Sequence, residues 1–485
     1  MQHAISAGHE TTLAVAKEIL RDKGNAFDAA IAAHFAMFIT EPCMASAGGN
    51  GFALAREANG KIQFFDFFCQ TPVQKYLEEA DFYPIVIDFG GESETFHVGM
   101  GAAAVPGSIA GVFEMHHRYG SIPMKELVAP AQDLAKSGVP INTFQAFDLK
   151  LLEPIYKQDP NVRSIFFKED RTLKEGELLR MPGTADFLDF IVEEGVRGFY
   201  QGDIARMIAA DSKAKGGSLR RVDFENYQVK VLDPLKINYK NKNIFLPNGP
   251  SKGGAAMAFM LANTTHQTAS LATAIQTAQQ LMQSENQIKQ QMDSLYPNNN
   301  FQLQPAAASH KGTSHFNIVD RDGNAVSLTS SIGEGCGYFI PGTELQLNNM
   351  MGEVFLLPNG PHSWTPNTRM HSMMTPTMVC DQSGALELVA GTGGASRIPY
   401  AIGQVIYQIY ENNKTLNESI EAPRYHFQDG LFQVEHQADW PYENENAAFW
   451  KEKAMYFGGV HAIQKKSDGI EAIGDARRYG VGEVF

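Results

Sequence analysis

Cysteine is scarce in this sequence. The four cysteines, at positions 43, 69, 336 and 380, are spread over 485 residues, and none forms a CxxC pair. Disulfide-stapled scaffolds and zinc sites of paired cysteines need closer spacing than this. The spacing therefore favours free thiols in a reducing compartment.

Basic runs and long apolar runs are also missing. The formal net charge is −14, so nucleic acid and anionic membrane surfaces are not expected partners. The longest apolar stretch, residues 29–40, contains His34 and is too short to span a bilayer. The first residues, MQHAISAGHETT, lack the pattern of a signal peptide. We predict a cytoplasmic protein, or a periplasmic or secreted one if the N-terminus is trimmed.

What the sequence does contain suits a large folded enzyme. Hydrophobic residues make up 44% of the chain, and 44 residues are glycine. Helical and strand-like patterns are mixed along the whole length, which predicts an α/β or α+β layered fold. Strands are predicted at residues 62–68, 376–381 and 385–390. Helices are predicted at residues 11–22, 25–39, 123–138, 184–195, 201–212 and 398–412, and the second of these is apolar nearly all round, as a buried helix would be.

Residues 264–308 differ from the rest in being rich in Gln, Asn and Ala. The first part of this segment is predicted to be an exposed helix. The later part, PNNNFQLQPAAAS, has the composition of a mobile polar segment. It leads directly into Gly312 and Thr313.

A β-hairpin is predicted over residues 313–331, around an Asp-Gly turn. A three-residue turn with Gly323 at positive φ places Thr313 opposite Ser331. A two-residue turn would place Ile332 there, with Ser331 beside it. In both cases two hydroxyl groups lie near each other at the open end of the hairpin.

Thr313 begins the first strand directly after a glycine, and this position would suit a nucleophile. If the chain were cleaved between Gly312 and Thr313, the threonine would carry a free α-amine with a pKa near 8. That amine could take the hydroxyl proton and leave a nucleophilic oxygen. The alternative is structural, because Gly-Thr before a strand is a common way to leave a loop.

The glycine-rich segment GTGGASRI, residues 391–398, lies between a predicted strand and a predicted helix. Successive glycines there allow backbone N–H groups to converge on one point, as an oxyanion site requires. The alternative is an ordinary glycine-rich turn. A dinucleotide site is disfavoured because Ser396 occupies the sixth position of the GxGxxG pattern.

Taken together, these segments resemble the γ-glutamyltransferases, which are autoprocessing N-terminal nucleophile hydrolases. Order and spacing agree over nearly the whole chain, and the hairpin block is the most specific. The matching segments are GNAFDAAIAA (24–33), EPCMASAGGNGF (41–52), VPGSIAG (105–111), GTSHFNIVDRDGNAVSLTSS (312–331), PGTELQLNNMM (341–351), MTPTM (374–378), GTGGASRI (391–398), EAPRYH (421–426) and GDARRYG (474–480).

The resemblance implies an α+β fold, a four-layer αββα sandwich of the N-terminal nucleophile hydrolase type. It also implies self-cleavage between Gly312 and Thr313. The products would be a large chain of residues 1–312 and a small catalytic chain of residues 313–485, which together form one fold.

The resemblance further assigns roles within the site. Thr313 would be the nucleophile, and Ser331 would be the second hydroxyl that hydrogen-bonds it, a position usually held by threonine. The oxyanion donors would be the backbone N–H groups of Gly394 and Ala395, or of Gly393 if the loop shifts by one residue. Alanine can serve as a backbone donor provided that it keeps a permitted φ.

The positions that grip a γ-glutamyl substrate in this family are only partly kept. Glu353 and Ser372 match, and Met373 stands at the second serine of the family pair. The expected arginine falls near Leu77, and the expected asparagine and glutamine fall at Gly333 and Met350. Losing three charge-assisted hydrogen bonds would cost about 5 kcal/mol of recognition. We therefore expect an amidohydrolase or acyltransferase for a γ-glutamyl compound or another small amide, such as oxamate, with Glu353, Ser372 and Met373 as substrate-binding residues.

Besides the small-molecule amide, the expected partners are the two chains of the protein's own precursor; further oligomerisation is left open. No cofactor or metal is expected, since the pair at residues 116–117 lacks a third ligand. His315 is either structural or lines the pocket, Asp28 caps or pairs locally, and Cys43 and Cys336 are bystanders. The alternative function is an uncleaved, non-catalytic binding or scaffold protein, suggested by the missing anchors and by residues 264–308.

Overall fold

The structure is a computed structural model. It describes residues 2–88, 93–249, 251–264, 268–282, 285–296, 312–353, 360–436, 438, 440 and 446–485. Within them, fifteen α-helices are present. Their bounds are α1 Glu10–Arg21, α2 Ala26–Thr40, α3 Ser108–Tyr119, α4 Met124–Ser137, α5 Thr143–Leu151, α6 Glu153–Tyr156, α7 Arg163–Phe166, α8 Pro182–Tyr200, α9 Asp203–Ala214, α10 Arg221–Glu225, α11 Lys252–Ala262, α12 Thr268–Leu281, α13 Glu285–Leu295, α14 Ile398–Tyr410 and α15 Leu416–Glu421.

The strands of the same residues are short and mostly antiparallel. Their bounds are β1 Ala4–Ala7, β2 Asn50–Arg56, β3 Ile62–Phe67, β4 Tyr83–Asp88, β5 Ser93–Val98, β6 Val139–Pro140, β7 Phe167–Lys168, β8 Arg171–Thr172, β9 Leu178–Leu179, β10 Lys230–Leu232, β11 Leu235–Tyr239, β12 Lys242–Leu246, β13 Thr313–Val319, β14 Ala325–Ser331, β15 Phe339–Ile340, β16 Leu345–Gln346, β17 Thr377–Cys380, β18 Leu386–Gly391, β19 Tyr425–Gln428, β20 Leu431–Val434, β21 Ala447–Phe449, β22 His461–Lys466, β23 Gly469–Ile473 and β24 Val481–Val484.

Two antiparallel sheets form the centre of the fold. The first has seven strands in the order β10-β3-β2-β14-β13-β1-β24, and the second has six in the order β11-β12-β17-β18-β22-β23. Strands β13 and β14 lie in the middle of the first sheet, where they pack against β18 and β22 of the second. The hairpin that begins at Thr313 is therefore enclosed on both faces.

Helices pack on both sheets. Helices α2 and α3 pack on strands of the first sheet, whereas α11 and α14 pack on strands of the second. Every residue of α2 is buried, as its apolar composition predicts. Asp28 closes a capping box with Asn25 at the start of α2, and this confirms its local capping role.

The predicted register of the hairpin is confirmed. Thr313 pairs with Ser331, and Gly323 has a φ of 93° in the turn. Alternation along β13 then directs His315 toward the second sheet and Phe316 into the cluster around α2.

The prediction for residues 264–308 is only partly right. Two helices, α12 and α13, are present instead of one, and they are not simply exposed. Each buries one apolar stripe against the core around α11, with Leu271 and Ile275 from α12 and Ile288 from α13. The PNNNFQLQPAAAS segment lies outside the described residues. Among the described residues, no helix is long and apolar enough to cross a membrane.

Candidate active site

Thr313 is completely buried at the first position of β13. Thr313 Oγ1 donates a hydrogen bond to Ser331 Oγ at 3.1 Å. Ser331 Oγ in turn donates to the carbonyl oxygen of Gly312 at 2.8 Å and accepts from the N–H of Gly333 at 3.1 Å. One hydroxyl therefore joins the threonine oxygen to the carbonyl of the preceding residue.

Gly312 has no room for a side chain. A Cβ there would lie 1.7 Å from the carbonyl oxygen of Gly333 and 3.0 Å from that of Cys43. Because real Cβ atoms do not approach backbone so closely, only glycine fits without moving the chain. The close approach holds the Gly312 carbonyl beside Ser331.

The glycine-rich loop after β18 lies directly against Thr313. A Cβ on Gly393 would lie 2.0 Å from the carbonyl oxygen of Thr313. Thr392 ties the loop down, since its hydroxyl donates to the Gly393 carbonyl at 2.6 Å and accepts from the N–H of Gly459 at 2.7 Å. The structure therefore places the predicted oxyanion loop against Thr313, the predicted nucleophile.

Ala395 adopts a conformation that glycine would favour. Its φ is 60°, and that of Gly394 is 133°. The left-handed region is permitted to alanine, at a cost of about 1 kcal/mol. Among the described residues, no acceptor receives a hydrogen bond from the backbone N–H of Gly394 or Ala395. Both donors are therefore available to a developing negative charge.

Sequence reasoning missed a buried charged cluster next to Thr313. Nη1 of Arg478 donates to the Thr313 carbonyl oxygen at 3.2 Å, and the arginine is buried. On the helix side of the same strand, Ser314 Oγ donates to the buried Glu41 carboxylate at 2.5 Å. Asp148 of α5 is the second buried carboxylate here. We name Arg478, Glu41 and Asp148 the Arg478 cluster.

The protonation of this cluster is shifted by burial. Desolvation raises the pKa of Glu41 to about 7, against the lowering effects of Ser314 and Arg478. It also raises the pKa of Asp148 to about 7. For Arg478, burial lowers the pKa to about 10 although both carboxylates oppose this. The cluster therefore carries an arginine whose counter-charges are incomplete near neutral pH.

A second charged cluster, built on Arg477, lies beside the first. Arg477 donates from Nε and Nη2 to the two carboxylate oxygens of Glu435, each at 2.7 Å. Arg424 Nη2 donates to Asp475 Oδ2 at 2.6 Å. All four residues are buried, and we name them the Arg477 cluster.

The predicted substrate-binding residues Glu353, Ser372 and Met373 differ in their relation to Thr313. Glu353 lies close to the centre, because its Oε1 is 2.8 Å from where a Cβ on Gly333 would be. Ser372 is buried and its Oγ accepts from the N–H of Met374 at 3.0 Å. No hydrogen bond between described residues joins Ser372 or Met373 to Thr313.

Three of the four positions that depart from the family pattern carry apolar side chains, and the fourth, Gly333, carries none. Leu77 is exposed, at 42% of its full accessibility. Met350 and Met373 are buried in the hydrophobic cluster around α11 and α14, and this packing accounts for their burial. None of the three supplies a group that could bind a carboxylate or an ammonium.

The remaining candidates have structural surroundings. His315 Nδ1 lies 2.8 Å from Thr329 Oγ1 and its Nε2 lies 2.9 Å from Asn317 Oδ1, so both ring nitrogens are engaged within the sheet. The cysteines are all free and buried, and burial raises the pKa of the Cys336 thiol to about 12. A thiol in such surroundings is a poor nucleophile.

Comparison with known proteins yields consistent matches. The sequence profile of the family described as Gamma-glutamyltranspeptidase matches residues 12–286 and 262–485. The glutathione hydrolase proenzyme of Escherichia coli strain K12 is 28% identical, over 88% of this chain and 81% of that protein. The capsule biosynthesis protein CapD proenzyme of Bacillus anthracis is 26% identical, over 99% of this chain and 90% of that protein.

A solved structure matches the fold along the whole chain. The cephalosporin acylase from Bacillus halodurans superposes with a TM-score of 0.83 at 22% identity, covering 100% of this chain and 95% of that one. At that identity the likeness concerns the fold alone.

Proposed function

The chain belongs to the gamma-glutamyltranspeptidase family, an enzyme family that acts on C–N amide bonds, and from this premise we propose that it cleaves itself between Gly312 and Thr313 and then works as a threonine amidohydrolase or acyltransferase. The mature enzyme would consist of residues 1–312 and 313–485. Together these would form one αββα sandwich of four layers, with the two sheets inside and helices such as α2 and α14 outside.

The observation that carries the proposal is the double hydrogen bond of Ser331, from Thr313 Oγ1 and to the Gly312 carbonyl oxygen. In the self-cleavage step, Thr313 Oγ1 attacks the carbonyl carbon of Gly312, and Ser331 polarises that carbonyl. The hydroxyl proton reaches the amide nitrogen as the C–N bond breaks, which leaves an ester and a free α-amine. Water then hydrolyses the ester and regenerates the Thr313 hydroxyl.

The same groups would serve the catalytic cycle. The α-amine of Thr313 takes the hydroxyl proton as Oγ1 attacks the substrate amide carbonyl. The N–H groups of Gly394 and Ala395, or that of Gly393, stabilise the oxyanion, and each such donor contributes roughly 10²–10³ in rate. The amine returns the proton to the leaving nitrogen, and water or an acceptor amine then releases the acyl group.

For the substrate, we propose a small amide that need not carry a γ-glutamyl group. Relatives are named for glutathione hydrolysis and for capsule biosynthesis. The apolar groups at Leu77 and Met350 and the missing side chain at Gly333 weaken the case for the same substrate here. Glu353, Ser372 and Met373 remain the proposed contacts. The cytoplasmic location stays a prediction.

The test of self-cleavage is the intact mass of the purified protein under denaturing conditions. We expect two chains that part at Gly312 and Thr313 in the wild type, and one chain in Thr313→Ala. Thr343→Ala is the matched control, because it also removes a buried threonine that follows a glycine. A wild type that stays whole after long incubation would refute the proposal.

The substrate class is tested next with a panel of small primary amides and γ-glutamyl compounds, with products identified by mass spectrometry. We expect turnover of at least one small amide, loss of turnover in Thr313→Ala, and a change of product when an acceptor amine is added if transfer competes with hydrolysis. Turnover of γ-glutamyl compounds alone would contradict the wider substrate class.

A further inference from the structure

Arg478 touches both parts of the proposed catalytic centre. Its Nη1 donates to the Thr313 carbonyl oxygen. The same nitrogen lies 2.8 Å from where a Cβ on Gly393 would be, so the guanidinium is wedged between the strand and the loop. The stem of Arg478 packs on Gly459, where a Cβ would lie 2.7 Å from that of the arginine. The guanidinium is thus held in one place from both ends.

We propose that Arg478 is a positioning residue that fixes the Thr313 carbonyl and keeps the α-amine released by self-cleavage in its neutral, proton-accepting form near neutral pH. The inference rests on the proposed function, because it concerns the amine that self-cleavage would create.

The electrostatic argument follows from distance. The amine nitrogen and the carbonyl oxygen belong to the same residue, so a guanidinium bonded to the oxygen lies within a few ångströms of the nitrogen. A like charge at about 4–6 Å disfavours protonation of a base by about one pKa unit or more. Burial strengthens the effect, since solvent does not screen the pair.

The effect of Arg478 on the amine depends on how far neighbouring negative charges neutralise the guanidinium. The ionisable groups that interact electrostatically with Arg478 come from five separate parts of the chain. They are Glu41 after α2, Asp148 of α5, Arg397 before α14, His461 of β22 and Asp475. Glu41 and Asp148 have pKa values raised to about 7 by burial, and Asp475 is already bonded to Arg424. Arg478 therefore keeps much of its charge uncompensated below pH 7.

The experiment measures the α-amine directly in the mature enzyme, without a substrate. Cyanate carbamoylates only neutral amines, so the rate of carbamoylation of Thr313 against pH, read by peptide mass, gives the pKa of its amine. We expect Arg478→Met to raise that pKa by about one unit. Arg478→Lys keeps the charge and should stay within about 0.3 unit of the wild type. The acidic limb of kcat/KM, once a substrate is found, should move with the labelling curve.

Asp148→Asn should shift the pKa of the Thr313 amine in the direction opposite to Arg478→Met. At pH 7 and above, where Asp148 is ionised, the substitution removes a negative charge that opposes Arg478, so the amine pKa should fall by about 0.3 unit. A merely structural arginine would give no such opposition between the two variants. This variant also decides the matter if Arg478→Met does not mature.

The outcomes separate the two proposals. A wild type that is never cut overturns the proposed function and the inference with it. A cut wild type whose amine titrates at the same pH in Arg478→Met and Asp148→Asn overturns the inference alone. Opposite shifts in the two variants support it.

Discussion

Arg477 and Arg478 are neighbours in sequence, and both are buried, yet they lie in very different surroundings. Arg477 is bonded by both oxygens of Glu435 and also donates to the carbonyl oxygen of Ile420 at 2.8 Å. The side chain of Arg478 makes a single hydrogen bond to the described part of the chain, to the Thr313 carbonyl oxygen. The pKa of Arg477 is raised by its partners despite burial, whereas burial lowers that of Arg478.

The difference separates a structural cluster from a functional one. In the Arg477 cluster burial alone would raise the pKa of Asp475, but Arg424 and Arg477 reverse this and lower it. In the Arg478 cluster the carboxylates keep raised pKa values, so their charge is not fully satisfied. Underpaired buried charge is costly, and groups whose pKa is shifted in this way concentrate at functional sites.

The largest expected effect comes from breaking the well-paired cluster. Arg477→Met would leave Glu435 as a buried charge without its arginine partner and Asp475 with Arg424 alone, and it should lower the free energy of unfolding by about 3–5 kcal/mol. Thermal unfolding measures this. The matched control is Arg206→Met, an exposed arginine paired with Asp203, which should change stability by less than about 1 kcal/mol. Equal losses in the two variants would refute the structural role of the Arg477 cluster.

The second effect concerns pH and the Arg478 cluster. The pKa of Asp148 is raised from 3.8 to about 7 in the folded protein. Its protonated form therefore stabilises the fold at low pH, and this contribution is lost as pH rises through about 7. The side chain in Asp148→Asn cannot ionise. We therefore expect the variant to have a higher free energy of unfolding than the wild type, and this difference should be about 2 kcal/mol larger at pH 8 than at pH 5.

Denaturant unfolding at both pH values checks this prediction. Asp189→Asn, at an exposed position of α8, is the control and should keep the wild-type pH dependence. A variant at Asp148 with the same pH dependence as the wild type would show that this carboxyl is ionised throughout, and the two clusters would then not differ.

A smaller loss of stability is expected from Arg478→Met. The variant loses one hydrogen bond, and Glu41 and Asp148 can respond by binding protons, so the loss should be about 1–2 kcal/mol at pH 6. It should grow at pH 8.5, where both carboxyls would ionise without a cation. Thermal unfolding at the two pH values tests this. A loss at pH 6 as large as that of Arg477→Met would remove the contrast between the arginines.

The sequence predicted the hairpin well but not the charged cluster behind it. Alternation and an Asp-Gly turn fix a register locally, which is why Thr313 was placed opposite Ser331. Arg478, Glu41 and Asp148 come from distant parts of the chain and meet only through tertiary packing. The one local signal is a charged residue, Glu41, directly after a helix that is apolar nearly all round.

The polar helices illustrate a second limit. Residues 268–295 carry so much Gln and Thr that exposure was expected, but Leu271, Ile275 and Ile288 are enough to form a buried stripe on each helix. Composition averages over a helix, whereas burial depends on which face each residue occupies. Periodicity within the segment would have been the better guide.

The smallest effect probes the loop that Arg478 supports. Ala395 has a φ of 60°, whereas Ala401 lies in the right-handed helix α14. Glycine at position 395 relieves about 1 kcal/mol of backbone strain but adds a similar entropy to the unfolded chain, so Ala395→Gly should stay within about 0.5 kcal/mol of the wild type. Ala401→Gly relieves no strain and should destabilise by about 1 kcal/mol or more. Thermal unfolding of the pair measures the difference. Equal losses of stability in the two variants would mean that the backbone at position 395 is not strained. The contrast with the Arg477 cluster would then rest on the charges of the Arg478 cluster alone.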